Sequence, residues 1–301
     1  AEVLLEQAVN IAWQNLTAKY GFPEGITGDE SHFGFAVIGY GKLGGIELGY
    51  SSDLDMVFLY EGNDHAMTDG DRQINNQVFY IRLGQRIIHI LSTQTTQGDL
   101  YETDMRLRPS GNSGMLVSSL AAFEKYQQNE AWTWEHQALV RARFIAGDPD
   151  LGEHFNLVRQ NILTCHNNGD PLKNDVLAMR EKMKQAAEAK FNSESLAKED
   201  IKQGDGGLID IEFITQYGVL KYSGQRLGLL EWTDNIRLLE MLACYKCFGD
   251  IDISPLAEAY RQLRSALHRK SLADECYKAS LSDYTELREA VMKIWRQVFN
   301  L

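Results

Sequence analysis

The chain has 301 residues, of which 44% are hydrophobic, enough to bury a sizeable core as one large domain or two packed units. Its 42 acidic against 30 basic residues leave a formal net charge of -12, which argues against general nucleic-acid binding and towards a small-molecule or protein substrate. Four cysteines in so long a chain argue against a disulfide framework, and no apolar run reaches the length of a bilayer span, so a cytoplasmic address without a membrane partner is expected.

The first residue is Ala1 rather than Met, which points to a processed or excised chain, and no secretory pattern follows it. Leu4, Leu5, Ala8, Ile11, Ala12 and Leu16 recur at helical spacing and predict an opening amphipathic helix. Tyr20 to His32, rich in Gly, Pro, Asp and Glu, reads as a connection. Phe33 to Gly39 and Leu54 to Tyr60 predict buried strands. Ile74, Val78, Ile81, Ile88 and Leu91 describe a long helix, Asp99 to Leu107 a third strand, and Gly114 to Ser118 a fourth. Beyond these the β signals stop. Asp148-Pro149, Asp170-Pro171 and Ser254-Pro255 each set a capping side chain before Pro at a first helical position. Leu256, Ala259, Tyr260, Leu263 and Leu267 fit one helix face, and Leu287, Val291, Ile294, Trp295 and Val298 another. The polar stretch from Phe191 to Gly207 is the candidate mobile loop. The layout predicts residues 1–32 as a helix and connection, 33–147 as a catalytic α/β unit, and 148–301 as a helical domain.

The most informative run is GYGKLGGIELGYSSDLDMVFLY, from Gly39 to Tyr60. Gly39, Gly41 and Gly44 fit a dinucleotide-binding glycine pattern, but the strand that follows begins too soon for the helix such a unit needs. A phosphate cradle followed by a metal site fits better. Small residues let backbone N–H groups approach a polyphosphate, and Lys42 supplies a positive charge. Asp53 and Asp55, two apart on a strand, project from one face while Leu54 and Met56 pack on the other. Two such close like charges call for a cation, and Mg²⁺ suits carboxylates plus phosphates. The alternative is a surface turn with solvated aspartates. It fits poorly because Asp55 enters the apolar run Met56-Val57-Phe58-Leu59. In Tyr101 to Arg108, period-two alternation puts Glu102, Asp104, Arg106 and Arg108 on one strand face, offering a third carboxylate and two phosphate-binding cations. An ion-pair ladder across strands is the competing reading.

A glycine turn, an Asp-x-Asp at a strand start and a lone Asp on a later strand resemble the polymerase-β-type nucleotidyltransferases. GYGKLGG-x-ELGYSSDLDMVFLY, YETDMRLRPSGNSGMLV and GGLIDIEFITQY resemble glutamine synthetase adenylyltransferase. RLRPSG followed by GML, with NEAWTWEHQALVRARFIAGD, is similar to the carboxy-terminal half of that family, which attaches AMP. The resemblance runs from about Phe33 to the end. It implies an α+β fold: a polymerase-β-like nucleotidyltransferase domain with a small mixed sheet, followed by an all-helical bundle. It implies ATP and Mg²⁺ as cofactors, Asp53, Asp55 and Asp104 as the metal triad, and a tyrosine hydroxyl of glutamine synthetase as acceptor. Gly41, Lys42, Gly44 and Ser52 would then hold phosphates, with Arg106 and Arg108 as weaker candidates. PII and glutamine are the implied effectors. The alternatives are the deadenylylating half of the same family, a uridylyltransferase-like relative, and a catalytically silent module that binds PII or glutamine synthetase.

Asp210 and Glu212, after a glycine turn, either complement a helix dipole or reach the nucleotide. Cys244 and Cys247 lack the further ligands of a zinc site and are expected as buried small side chains in a helix. His136 reads as a hydrogen-bonded helical residue, and Trp132 and Trp134 as core or seam packing. Arg141 and Arg143, read as helical, face different directions.

Overall fold

The computed structural model describes residues 1–26, 32–50, 52–93, 98, 101–165, 169–191, 200–272 and 284–301. The chain forms two compact units. One comprises Ala1–Leu48, Ser52–Ala131 and Arg141–Ile162, and the other Gly49–Ser51, Trp132–Val140 and Leu163–Leu301. The α+β fold class expected from the sequence is the one found.

In the first unit, α1 (Glu2–Tyr20) buries Leu5, Ala8, Val9, Ala12, Trp13, Leu16 and Tyr20. The stripe is helical as expected but rotated: Leu4 and Ile11 are exposed, and Val9 and Trp13 take the core side. Trp13 decides this, because its ring packs edge-on against both Phe33 and Phe79. β1 (Phe35–Gly39) leads through a one-turn helix, α2 (Gly41–Gly44), to β2 (Leu54–Tyr60). α3 (Asn76–Leu91) begins at Asn75, whose side chain accepts from the Val78 amide. It buries Phe79, Tyr80, Leu83 and Ile87, leaving Val78, Ile81 and Ile88 at the margin.

The five-stranded sheet is mixed. β1 pairs antiparallel with β2, and on its other edge with β5 (Arg143–Gly147). The free edge of β2 takes two short parallel strands in succession. Leu54–Asp55 pairs with β3 (Thr103–Asp104), and Phe58–Tyr60 with β4 (Val117–Ser119). The expected strand from Asp99 to Leu107 is therefore a correction: pairing among the described residues is confined to Thr103–Asp104, and residues 99–100 lie outside them. The chain turns away at Arg106, and Ser110 and Gly111 both adopt positive φ. Phe35, Val37, Leu54, Met56, Phe58 and Tyr60 face the cluster built by α1 and α3. Alternation puts Asp55 on the opposite sheet face with Val57 and Leu59. The unit is completed by α4 (Leu120–Asn129) and α6 (Pro149–Thr164). Asp148 caps α6 through the Asp150 and Leu151 amides and accepts from Gly34 N–H with its other oxygen.

The second unit is helical: α5 (Thr133–Val140), α7 (Gly169–Phe191), α8 (Leu208–Tyr222), α9 (Asn235–Cys244), α10 (Pro255–Leu272) and α11 (Thr285–Phe299). α8 is the central rod and packs against the other five. That explains its nearly continuous apolar sequence, since a helix surrounded by helices has no solvent face to make polar. The expected faces of α10 and α11 are buried apart from Leu267 and Leu287, which lie at the margin. α9 stops at Cys244, which is exposed, so the expected buried cysteine pair within one helix is not found. Trp132 and Trp134 are exposed, not core. Much of the expected loop from Phe191 to Gly207 lies outside the described residues.

Candidate active site

The head of β2 is where the candidate residues meet. Leu54 and Met56 are fully buried and anchor the strand, which leaves Asp53 at its entrance and Asp55 on the opposite face. The parallel pairing of β2 with β3 sets Asp55 opposite Asp104. One carboxylate oxygen from each of Asp53, Asp55 and Asp104 lies within 4.8 Å of the others. Burial, then the neighbouring charges of Asp53 and Asp104, push Asp55 up from the ordinary carboxylate range to about 6; Lys42 and Arg106 pull weakly the other way. Asp104 moves in the opposite direction. Arg106 donates to it from its backbone N–H at 2.8 Å and from its guanidinium, and the side-chain hydrogen bond is the largest cause of the lowered value. Arg106 is the cation hydrogen-bonded to the cluster, while Lys42 and Arg108 act on it through their charge, and a donor set of carboxylate oxygens fits a divalent cation.

The glycine turn packs directly under Asp55. Gly41 has φ +52°, and a Cβ there would lie 2.5 Å from the Asp55 Oδ2. At Gly44 a Cβ would lie 1.9 Å from the Arg141 carbonyl oxygen. Only glycine meets both requirements. Tyr40 N–H donates to the Asp55 carbonyl at 2.9 Å, fastening the turn to β2. The Lys42 Nζ donates to the Ser52 Oγ at 3.2 Å, so these two candidates are brought together. The amides of Gly44, Gly45, Ile46 and Glu47 close the turn on the carbonyls of Tyr40, Gly41, Leu43 and Lys42. The second half of the turn therefore uses its donors internally.

Arg106 and Arg108 do not line one strand face with Asp104, because the chain leaves the sheet between them. Arg106 folds back onto Asp104, and Arg108 donates to the carbonyls of Met105, Asn112 and Gly114, tying the turn that follows. Glu102 is exposed. Asp210 and Glu212 belong to the second unit. Asp210 is buried against Arg180 and accepts from Gly206 N–H at 2.7 Å; burial raises its pKa, while Arg180 opposes the rise. Glu212 accepts from the Tyr260 hydroxyl at 2.9 Å.

Sequence reasoning missed the brace behind the glycine turn. Arg141 and Glu47 form an ion pair in which each side chain is 4% exposed. Arg143 donates to the Gly44 and Leu43 carbonyls. Arg143 stands on β5, not on a helix, and Arg141 just before it, so the helical reading of this pair is corrected. The signal was present in an arginine entering a buried segment, where an unpaired charge is costly.

The carboxylate cluster at the head of a small mixed sheet, beside a glycine turn and a lysine, is the candidate active site. Residues 1–158, more than half of the chain, match the family model described as glutamate-ammonia ligase adenylyltransferase. Residues 175–295 match the model described as GlnD PII-uridylyltransferase. The chain belongs to the glutamate-ammonia ligase adenylyltransferase family. It is an enzyme, an adenylyltransferase whose family acts on glutamine synthetase. Among the described residues no helix is long and apolar enough to cross a membrane.

Proposed function

We propose that the chain transfers AMP from ATP to a tyrosine hydroxyl of glutamine synthetase, releasing pyrophosphate, with Mg²⁺ held by Asp53, Asp55 and Asp104. The observation that carries the reading is the convergence of these three carboxylates, with oxygens within 4.8 Å of one another and Asp55 raised to about 6 by burial and by its acidic neighbours. Divalent ions held by these carboxylates would neutralise charge on the α-phosphate of the transferred AMP and ease ionisation of the attacking hydroxyl. Gly41 and Gly44 keep the turn low enough for a polyphosphate to lie over it, and Lys42, held by Ser52, supplies the charge that meets its oxygens.

A phenol titrates near 10, so the acceptor tyrosine needs help to ionise. Asp104 is the candidate helper, but Arg106 holds it below the ordinary range, so it becomes a useful proton acceptor only when Arg106 lets go. Arg106, 72% exposed, is free to swing to a phosphate oxygen at that moment. Arg108 remains in the turn that positions it. Asp210 and Glu212 serve the packing of the helical unit. The match of that unit to a PII-uridylyltransferase family supports PII as an effector; glutamine rests on the family resemblance alone.

The test is transfer of label from α-labelled ATP to purified glutamine synthetase. Transfer should require Mg²⁺ and disappear in Asp53→Asn and Asp104→Asn proteins whose circular dichroism is unchanged. Undiminished transfer in either variant removes the proposal. A preference for UTP would favour uridylyl transfer, and release of label by inorganic phosphate would favour the deadenylylating reaction.

A further inference from the structure

Away from the carboxylate triad, the first unit carries a groove of about 320 Å³ between the end of α1 and the outer face of α3. Its walls include Lys19 and Tyr20 from α1 and Arg82, Arg86 and His89 from α3, over an apolar floor at Leu16. Among the described residues, no carboxylate lines it. This is unusual in a chain with a formal net charge of -12. Lys19 lies in the last turn of α1, where a cation complements the helix dipole, and so has a structural explanation. Arg82 and Arg86 have none of that kind. They stand in the middle of α3, whose sequence NQVFYIRLGQRIIHIL contains no acid, so no pair at helical spacing can neutralise them. Neither they nor Lys19 form an ion pair among the described residues.

Tyr20 orients the cations. Its ring is buried, its hydroxyl accepts from the Arg82 guanidinium, and Arg82 and Lys19 sit 5.0 and 5.1 Å from the ring centre. The hydroxyl is held below the usual phenol range, first by a hydrogen bond with Lys19, then, against the effect of burial, by the charges of Arg82, Lys19 and Arg72. A fixed positive edge results.

The shape of that edge selects its ligand. Arg82, Arg86 and His89 follow one another along a helix face, and a rise of about 1.5 Å per residue spreads them over roughly 10 Å. A single phosphate asks for cations that converge on a point. A row separated by a helical turn, above an apolar floor, fits a run of side-chain carboxylates with an apolar residue among them. We propose that this groove is a docking surface for an acidic segment of a partner protein, laid along α3. The inference is independent of the triad and of the reaction assigned to it.

Fluorescence anisotropy of a labelled Glu-rich peptide with interspersed Leu, titrated with the full chain, tests it. Binding should be present at low ionic strength and weaken with salt, since exposed charges are screened. It should fall by at least about tenfold in Arg82→Glu/Arg86→Glu, and nearly as far when Gln replaces Glu in the peptide. The neutral pair Arg82→Gln/Arg86→Gln, checked for an unchanged melting temperature, should fall between. Equal binding by wild type and both variants overturns the proposal. So does tighter binding of inorganic phosphate or of a single-stranded RNA oligonucleotide than of the peptide, when that binding is lost in the same variants.

Discussion

Gly41 and Asp55 occupy space that neither could share with a larger neighbour: a methyl group on residue 41 would stand 2.5 Å from the Asp55 Oδ2. Gly41→Ala should therefore displace the carboxylate, and misplacement by about 1 Å can cost on the order of a hundredfold in rate. The control is Gly25→Ala, also at positive φ (+91°), where among the described residues nothing lies within 4 Å of the added carbon. AMP transfer should collapse in the first variant and survive in the second. Equal activity in the two would dissociate the turn from the reaction.

Asp55 makes the metal-free protein less stable as pH rises. Its folded pKa of about 6 lies above the ordinary 3.8, so the fold disfavours the ionised form. The penalty is absent below about 4, grows through about 6, and is complete above that, where it is worth roughly 1–3 kcal/mol. In chelator-treated samples Asp55→Asn should melt above wild type at pH 8 and level with it near pH 4. Added Mg²⁺ should close the gap by raising wild type alone. A difference that does not change with pH would show that Asp55 ionises without cost.

Arg106 and a metal compete for Asp104. Releasing that carboxylate in Arg106→Gln should tighten Mn²⁺ binding, read by electron paramagnetic resonance, by up to about tenfold. Asp104→Asn should weaken it. AMP transfer in Arg106→Gln should nonetheless fall, because the guanidinium is no longer there for a phosphate. Weaker Mn²⁺ binding in Arg106→Gln would mean that Arg106 positions Asp104 and does not block it.

The buried Arg141–Glu47 pair gives an asymmetric result. Arg141→Met removes one member of a buried ion pair and should cost about 3–5 kcal/mol in urea unfolding. Arg141→Met combined with Glu47→Leu removes both charges and should recover most of that loss. If the double variant is no more stable than the single one, the pair acts through shape and not charge.

The parts of this molecule legible in the sequence are those decided locally. Leu54 to Tyr60 is a strand with the expected bounds, because a continuous apolar run between polar ends has little other option. The Asp-Pro at 148–149 caps a helix as read. Faces were less legible, since α1 carries apolar residues on several sides. Leu4 and Trp13 compete for the core, and the decision falls to Phe33 and Phe79, distant in sequence. The alternation through Glu102, Asp104, Arg106 and Arg108 misled because it assumes a strand that continues. The turn at Arg106 and the positive φ of Ser110 and Gly111 end it. The three aspartates were legible as types. Their meeting point depends on a parallel pairing between β2 and β3 that no local pattern announces.

The path of the chain between the units bears on dissection. It leaves the sheet-bearing unit at Ala131, gives α5 to the helical unit, and returns with Arg141 to build β5 and most of α6 before departing again. No single cleavage can liberate both bodies intact. A break after Gly147 strands α5 with the sheet fragment and strips off the helix that Asp148 caps. Fragment complementation, or a graft of Trp132–Val140 onto a circularly permuted helical portion, is the route to studying either body alone.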